Sequence, residues 1–157
     1  MLATASLLRS APEGAFAGYA SVFGTLDRGH DIVARGAFRR SLSERGASGV
    51  KLLWQHDPNQ PVGVIDSLAE DNHGLYMRGR LLLDVARARE ALSLMRNRVL
   101  DGLSIGYRCV RSDVEPKSGA RVLYDVDLWE ISLVTFPMQE TARITAYKAA
   151  VMRGGRS

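Results

Sequence analysis

Apolar residues recur in short alternating or clustered runs along most of the chain, the pattern of strands rather than of long helices. Residues 16–23, Phe16-Ala17-Gly18-Tyr19-Ala20-Ser21-Val22-Phe23, predict a first strand. Gly24 to Gly29 reads as a turn, followed by the short extended link His30-Asp31-Ile32-Val33. Residues 36–45 place Phe38 and Leu42 ahead of Gly46, which predicts a short helix with a glycine stop. Two further strands are expected at Val50-Lys51-Leu52-Leu53-Trp54 and Val62-Gly63-Val64-Ile65, separated by the polar turn Asp57-Pro58-Asn59-Gln60. Asp71-Asn72-His73-Gly74 is a turn signal leading into alternating Leu75, Met77, Leu81 and Leu83. Together these segments predict an antiparallel meander.

One stretch breaks the pattern. Across residues 84–100, Val85, Ala88, Leu92, Met95 and Val99 recur at helical spacing, with Asp84 placed to cap the N-terminus. The opposite face, with Arg87, Glu90 and Arg98, reads as a solvated charged surface. Strands resume from Tyr107 to Arg111, loop through Glu115-Pro116-Lys117-Ser118-Gly119, and return over residues 122–135 until Phe136-Pro137. Ile144-Thr145-Ala146-Tyr147 predicts one more strand, and the tail from residue 149 is expected to fray. The expectation is a β-rich α+β fold: a single domain over residues 1–157, core about 16–148, shaped as an antiparallel β-barrel with surrounding helices.

Composition narrows the function classes. The 157 residues suffice for a real core without disulfides, and 46% apolar with 24% charged residues is ordinary for a globular chain. The formal charge of +4 is mild, and no basic tract with interleaved aromatics supports nucleic-acid binding. Cys109 is the only cysteine, which rules out an internal disulfide and a cysteine-based zinc cluster. No apolar run approaches the ~18 residues of a membrane span. Residues 1–8 lack a basic n-region, so secretion is not expected.

The candidate chemistry centres on Gly102-Leu103-Ser104-Ile105-Gly106-Tyr107. A serine between glycines leaves its hydroxyl open to an incoming carbonyl. The spacing matches a nucleophile elbow, yet the elbow needs a histidine after the serine, and none follows His73. The base must then come from upstream. His30 and His73 lie in turns, whereas His56 closes the apolar run Leu52-Leu53-Trp54 at a strand end. A neutral imidazole held there can take a hydroxyl proton near neutral pH. Among the three histidines no spacing matches a helix-based metal pair. Glu130 is the lone acid in the apolar run Leu128-Trp129-Glu130-Ile131-Ser132-Leu133-Val134, and a carboxylate there needs a donor, such as a histidine N–H. The alternative is that Glu130 points to solvent. Ser132 is a rival nucleophile without glycine flanks, and Asp57 and Asp127 are rival acids.

Across residues 17–146 the chain resembles the prohead maturation proteases of tailed bacteriophages, serine peptidases related in fold to the herpesvirus assemblins. The matching pieces are Gly18-Tyr19-Ala20-Ser21-Val22-Phe23, Arg35-Gly36-Ala37-Phe38, Leu53-Trp54-Gln55-His56-Asp57 with Pro61-Val62-Gly63, and Gly74-Leu75. They continue in Gly102-Leu103-Ser104-Ile105-Gly106-Tyr107 and Glu130-Ile131-Ser132-Leu133-Val134 with Pro137. The resemblance implies an assemblin-like barrel with Ser104 as nucleophile and His56 as base. Assemblins place a second histidine about as far beyond the serine as Glu130 lies here, so Glu130 is the counterpart, an acid in place of an imidazole. By analogy, oxyanion donors would come from the turn Pro137 to Arg143. The implied work is cleavage of the major capsid protein, of scaffold segments and of the protease itself, inside a procapsid assembling in the host cytoplasm. No cofactor, metal, nucleic acid or membrane is called for, and self-association within the procapsid is expected. A long C-terminal tail is expected to be absent or removed. Two alternatives stay open: an assembly module on the same barrel without catalysis, and a small serine esterase.

Overall fold

The computed structural model describes residues 8–149, which form eight strands and two α-helices. The strands are β1 (Ala15–Val22), β2 (Asp31–Val33), β3 (Lys51–Trp54), β4 (Asp57–Glu70), β5 (Gly74–Leu81), β6 (Gly102–Val114), β7 (Arg121–Val134) and β8 (Ile144–Tyr147). Helix α1 (Arg39–Arg45) follows β2, and α2 (Ala86–Arg96) follows β5. All eight strands join one sheet in the order β2-β7-β3-β4-β5-β1-β8, with β6 on the other edge of β7. Residues 150–157 of the expected tail lie outside the described residues.

β7 organises the sheet. Along one edge it pairs antiparallel with β6 over nearly its whole length, from Arg121↔Val114 to Val134↔Gly102. Its other edge carries β2 at Arg121 to Leu123 and β3 at Glu130 to Leu133, and both pairings are parallel. The β-rich, mainly antiparallel fold expected from the sequence thus includes two parallel joins: β2 and β3 return in the same sense through the intervening α1. In the gap between them the Val126 N–H donates to Ala37 O and the Leu128 N–H to Ser41 Oγ, so helix α1 and its lead-in satisfy the strand edge. The sheet curls so that the start of β6 meets the segment before β8: Leu103 N–H donates to Ala142 O, and Ile144 N–H to Asp101 O.

Alternation then sorts the side chains. Leu103, Ile131 and Leu133 face the core with Phe16, Leu52, Val62, Leu75 and Met77. Truncating one such side chain costs about 2–5 kcal/mol. Helix α2 closes this core with Ala88, Leu92 and Met95, as its spacing predicts, and with Ala91. Two details differ from the sequence pattern. Val85, not Asp84, occupies the N-cap, and Val99 is 56% exposed because the helix stops at Arg96. Arg87 is also more than a solvated charge: it pairs with Glu90 and lies over the Trp54 ring, 5.0 Å from its centroid.

Candidate active site

The sequence pattern puts a turn at residues 57–60, but the chain turns two residues earlier. Trp54 pairs with Asp57, which leaves Gln55 and His56 as a two-residue hairpin loop with φ of 50° and 60°. Both central residues in the left-handed region is the condition for the tight turn that fits the right-handed twist of paired strands. Such a turn normally uses Asn and Gly; here neighbouring contacts hold it instead. The Gln55 N–H donates to Leu133 O, and the Gln55 amide bonds Thr135 in both directions, through its side-chain hydroxyl at 2.8 Å and its N–H at 3.3 Å. The His56 N–H donates to Ser132 Oγ at 3.0 Å. The end of β7 imposes the bend, and the bend presents the His56 ring.

That ring meets Glu130. Nδ1 lies 2.5 Å from Glu130 Oε1, so the Nδ1–H donates to the carboxylate and Nε2 is left as the acceptor nitrogen. The second carboxylate oxygen, Oε2, accepts from Ser132 Oγ at 2.7 Å. The bond to Glu130 raises the His56 pKa above its ordinary value of 6.5, against the opposing effect of burial. Gly106 makes the arrangement fit. A Cβ there would lie 2.3 Å from Glu130 Oε1 and 2.7 Å from its Cγ, so only glycine lets the side chain lie across β6. Gly102 similarly yields to Pro137. The two glycines around Ser104 thus give way to neighbours, beyond any effect on the hydroxyl.

Ser104 sits in the strand itself, without an elbow. It pairs directly with Ser132, and Gly106 with Glu130, so Ser104, Ser132 and Glu130 share one face. Side chains directly opposite in such a pair have Cβ atoms about 4.5–5.5 Å apart. Among the described residues no hydrogen bond joins Ser104 Oγ to His56; such bonds commonly tighten only when substrate is bound. Ser132 differs sharply from Ser104. Both are buried, at 0% and 4% exposure, but the Ser132 hydroxyl accepts the His56 N–H and donates to Glu130, so its proton is already engaged. The sequence pattern puts Ser132 on the face of Glu130 as a rival nucleophile; the structure instead makes it a link between that carboxylate and the His56 backbone.

The remaining candidates lie elsewhere. Asp127 is held by Arg45 and the Trp129 indole, and Asp57 caps the Asn59 N–H. His30 reaches Ser118 O, while the His73 ring packs edge-on against Tyr19. The segment Met138 to Ala142, within the turn expected to supply oxyanion donors, borders the same cavity as Ser104. Gln139 anchors it, accepting the Val22 N–H at 2.7 Å and donating to Val22 O at 3.0 Å.

Comparison with known proteins shows the family. A family profile described as Caudovirus prohead serine protease matches residues 4–154. The chain belongs to this family. It is 37% identical over 139 residues to the prohead protease of Enterobacteria phage HK97, covering 87% of this chain and 61% of the relative. It is 25% identical over 125 residues to the prohead protease of Escherichia phage T5, covering 78% and 58%. The chain thus spans about three-fifths of the length of these relatives. Among solved structures, the bacteriophage T4 capsid assembly protease superposes with a TM-score of 0.61 at 13% identity, covering 76% of this chain and 80% of that one. The KSHV protease in complex with a hexapeptide phosphonate inhibitor gives 0.55 at 14% identity, covering 83% and 63%. Both likenesses concern the fold, the curled sheet of the assemblin-like proteases.

Proposed function

We propose that this chain is a serine endopeptidase that cuts capsid and scaffold segments, and itself, during procapsid maturation. The observation that carries the proposal is the His56 Nδ1–Glu130 bond at the tip of the β3–β4 turn, beside the strand pair that aligns Ser104 with Ser132. In this mechanism Ser104 Oγ attacks the scissile carbonyl and His56 Nε2 takes its proton. Glu130 holds the tautomer and stabilises the imidazolium. Collapse of the tetrahedral adduct expels the amine, which receives that proton from His56, and water releases the acyl group by the same route in reverse.

The name of the relatives, prohead protease, supports capsid substrates and work inside an assembling procapsid in the host cytoplasm. Self-association there would raise the local concentration of enzyme and substrate. Co-expression with the neighbouring capsid gene product tests the proposal, with subunit mass as readout. The wild-type chain shortens the capsid subunit; Ser104→Ala, with its fold intact by circular dichroism, leaves it full length. Equal processing by the Ser104→Ala variant would remove Ser104 from the mechanism.

A further inference from the structure

The turn between β7 and β8 is inside out. Phe136 is 76% exposed and Met138 is also exposed, whereas the polar Gln139 is only 6% exposed. Burying an amide while two large apolar side chains stay in water is unfavourable unless the amide is bonded where it lies. Gln139 Oε1 accepts the Val22 N–H at 2.7 Å, and its Nε2 donates to Val22 O at 3.0 Å. β8 pairs with β1 only from Phe16 to Gly18, so this edge of Val22 lies beyond the reach of β8. One side chain does there what a neighbouring strand does elsewhere.

Further bonds tie the same turn to the nucleophile strand. Ala142 O accepts the N–H of Leu103, next to Ser104, at 2.9 Å, and the Arg143 guanidinium bridges Glu140 O and Asp101, which precedes β6. Met138, Gln139 and Ala142 line the cavity of about 100 Å³ on which Ser104 opens. Among the described residues, the N–H groups of Met138, Gln139, Glu140 and Thr141 meet no acceptor. Free backbone N–H groups beside a nucleophile suit a developing oxyanion, and they act only if held about 2.7–3.1 Å from where it forms.

We propose that Gln139 is a positioning residue for the cleavage: its amide fixes the turn against β1 so that these N–H groups meet the oxyanion formed on Ser104. This rests on the endopeptidase assignment above. The side chain acts through the backbone it holds. Without its two bonds to Val22 the middle of the turn is free to shift, and a misplacement of about 1 Å costs on the order of 10²-fold in rate.

Covalent labelling separates this role from a purely structural one. The probes are an alkyl fluorophosphonate and its thiono analogue, in which P=S replaces P=O and accepts hydrogen bonds poorly. In both, Ser104 Oγ forms a bond to phosphorus, fluoride leaves, and the serine proton passes to His56. Peptide mass mapping locates the adduct, and intact mass gives the rate. The oxo-to-thiono rate ratio, divided by the same ratio for hydroxide in water, reads the contacts to the oxyanion. It does not depend on the folded fraction, because both probes sample one population. For the wild-type chain it should be about 10²–10³, the worth of one positioned donor. Gln139→Met fills a similar volume without either bond, and Gln139→Glu keeps only the acceptor. In each variant that folds by circular dichroism the ratio should fall about 10–100-fold, while the pH midpoint of labelling, set by His56, stays in place. A folded variant that keeps the wild-type ratio, whether it labels at the wild-type rate or more slowly with both probes alike, would overturn the positioning role and leave Ser104 as nucleophile. An adduct on another residue, or none on the folded wild-type chain, would overturn both.

Discussion

Two hairpin turns of the same sheet are built in opposite ways. The β4–β5 turn carries its own instructions: Asp71 Oδ1 accepts the His73 N–H at 2.7 Å and the Gly74 N–H at 3.0 Å, closing the bend through its own side chain. The β3–β4 turn holds Gln55 and His56 in the left-handed region with no glycine, asparagine or aspartate. Its bend is maintained by Leu133, Ser132 and Thr135 of β7 and the loop after it. The first turn is self-sufficient and carries no proposed chemistry. The second is strained, and it aims the one histidine, among the described residues, whose ring hydrogen-bonds a carboxylate. Backbone strain persists where surrounding structure overrides local preference, and such places cluster at functional sites.

The sharpest way to break this contrast is to remove both histidines in turn. His56→Gly should lower peptide cleavage by about 10⁴–10⁶-fold, because members of the proposed triad would act as a unit. Its stability in urea at pH 8 should change by less than about 1 kcal/mol, since relief of left-handed strain offsets the lost bond. His73→Ala should leave cleavage unchanged. A His56→Gly chain that still cuts at the wild-type rate would end the comparison.

Next in size is Glu130→Gln, which keeps the shape but weakens the hold on the His56 tautomer. Cleavage should fall roughly 10⁴-fold, less than on loss of Ser104, with the fold retained by circular dichroism.

The pH profile sharpens the contrast further. In the proposed mechanism His56 must be neutral to accept the serine proton, and its bond to Glu130 raises its pKa above 6.5, so the acid limb of kcat/KM should have its midpoint above 6.5. Stability runs the other way. A pKa raised on folding contributes stability that is complete below 6.5 and lost as pH rises through the folded value. Urea midpoints of the wild-type chain and Glu130→Gln, measured at several pH values, should therefore converge as pH rises through that value. A gap that widens would refute the assignment.

The smallest effect belongs to the self-sufficient turn. Asp71→Ala removes the acceptor for two N–H groups and the partner of the Tyr19 hydroxyl, at a cost of about 1–3 kcal/mol. Cleavage by the folded fraction should not change.

The same contrast explains what was legible in the sequence. The Asp71-Asn72-His73-Gly74 turn, the helix spacing of Ala88, Leu92 and Met95, and the alternation of β6 and β7 are local, and each was readable because the residues that cause the structure are neighbours in the chain. Glu130 was legible for the opposite reason: a carboxylate in an apolar run demands a partner wherever that partner comes from. The glycines around Ser104 marked a special strand, though their reason, room for Glu130 and Pro137, was invisible without the neighbouring strand.

By itself the sequence determined the strand-rich fold, the family, and the short set of side chains proposed to carry the chemistry. Only the tertiary structure decided the rest. It moved the turn from residues 57–60 to Gln55 and His56, because β7 supplies bonds that local preference lacks. It set β2 and β3 parallel to β7 across α1. It also separated two rival serines, engaging Ser132 between His56 and Glu130 and leaving Ser104 at the edge of a cavity. The physical reason is common to all three: hydrogen bonds between strands distant in the chain outweigh the conformational preferences of residues adjacent in it.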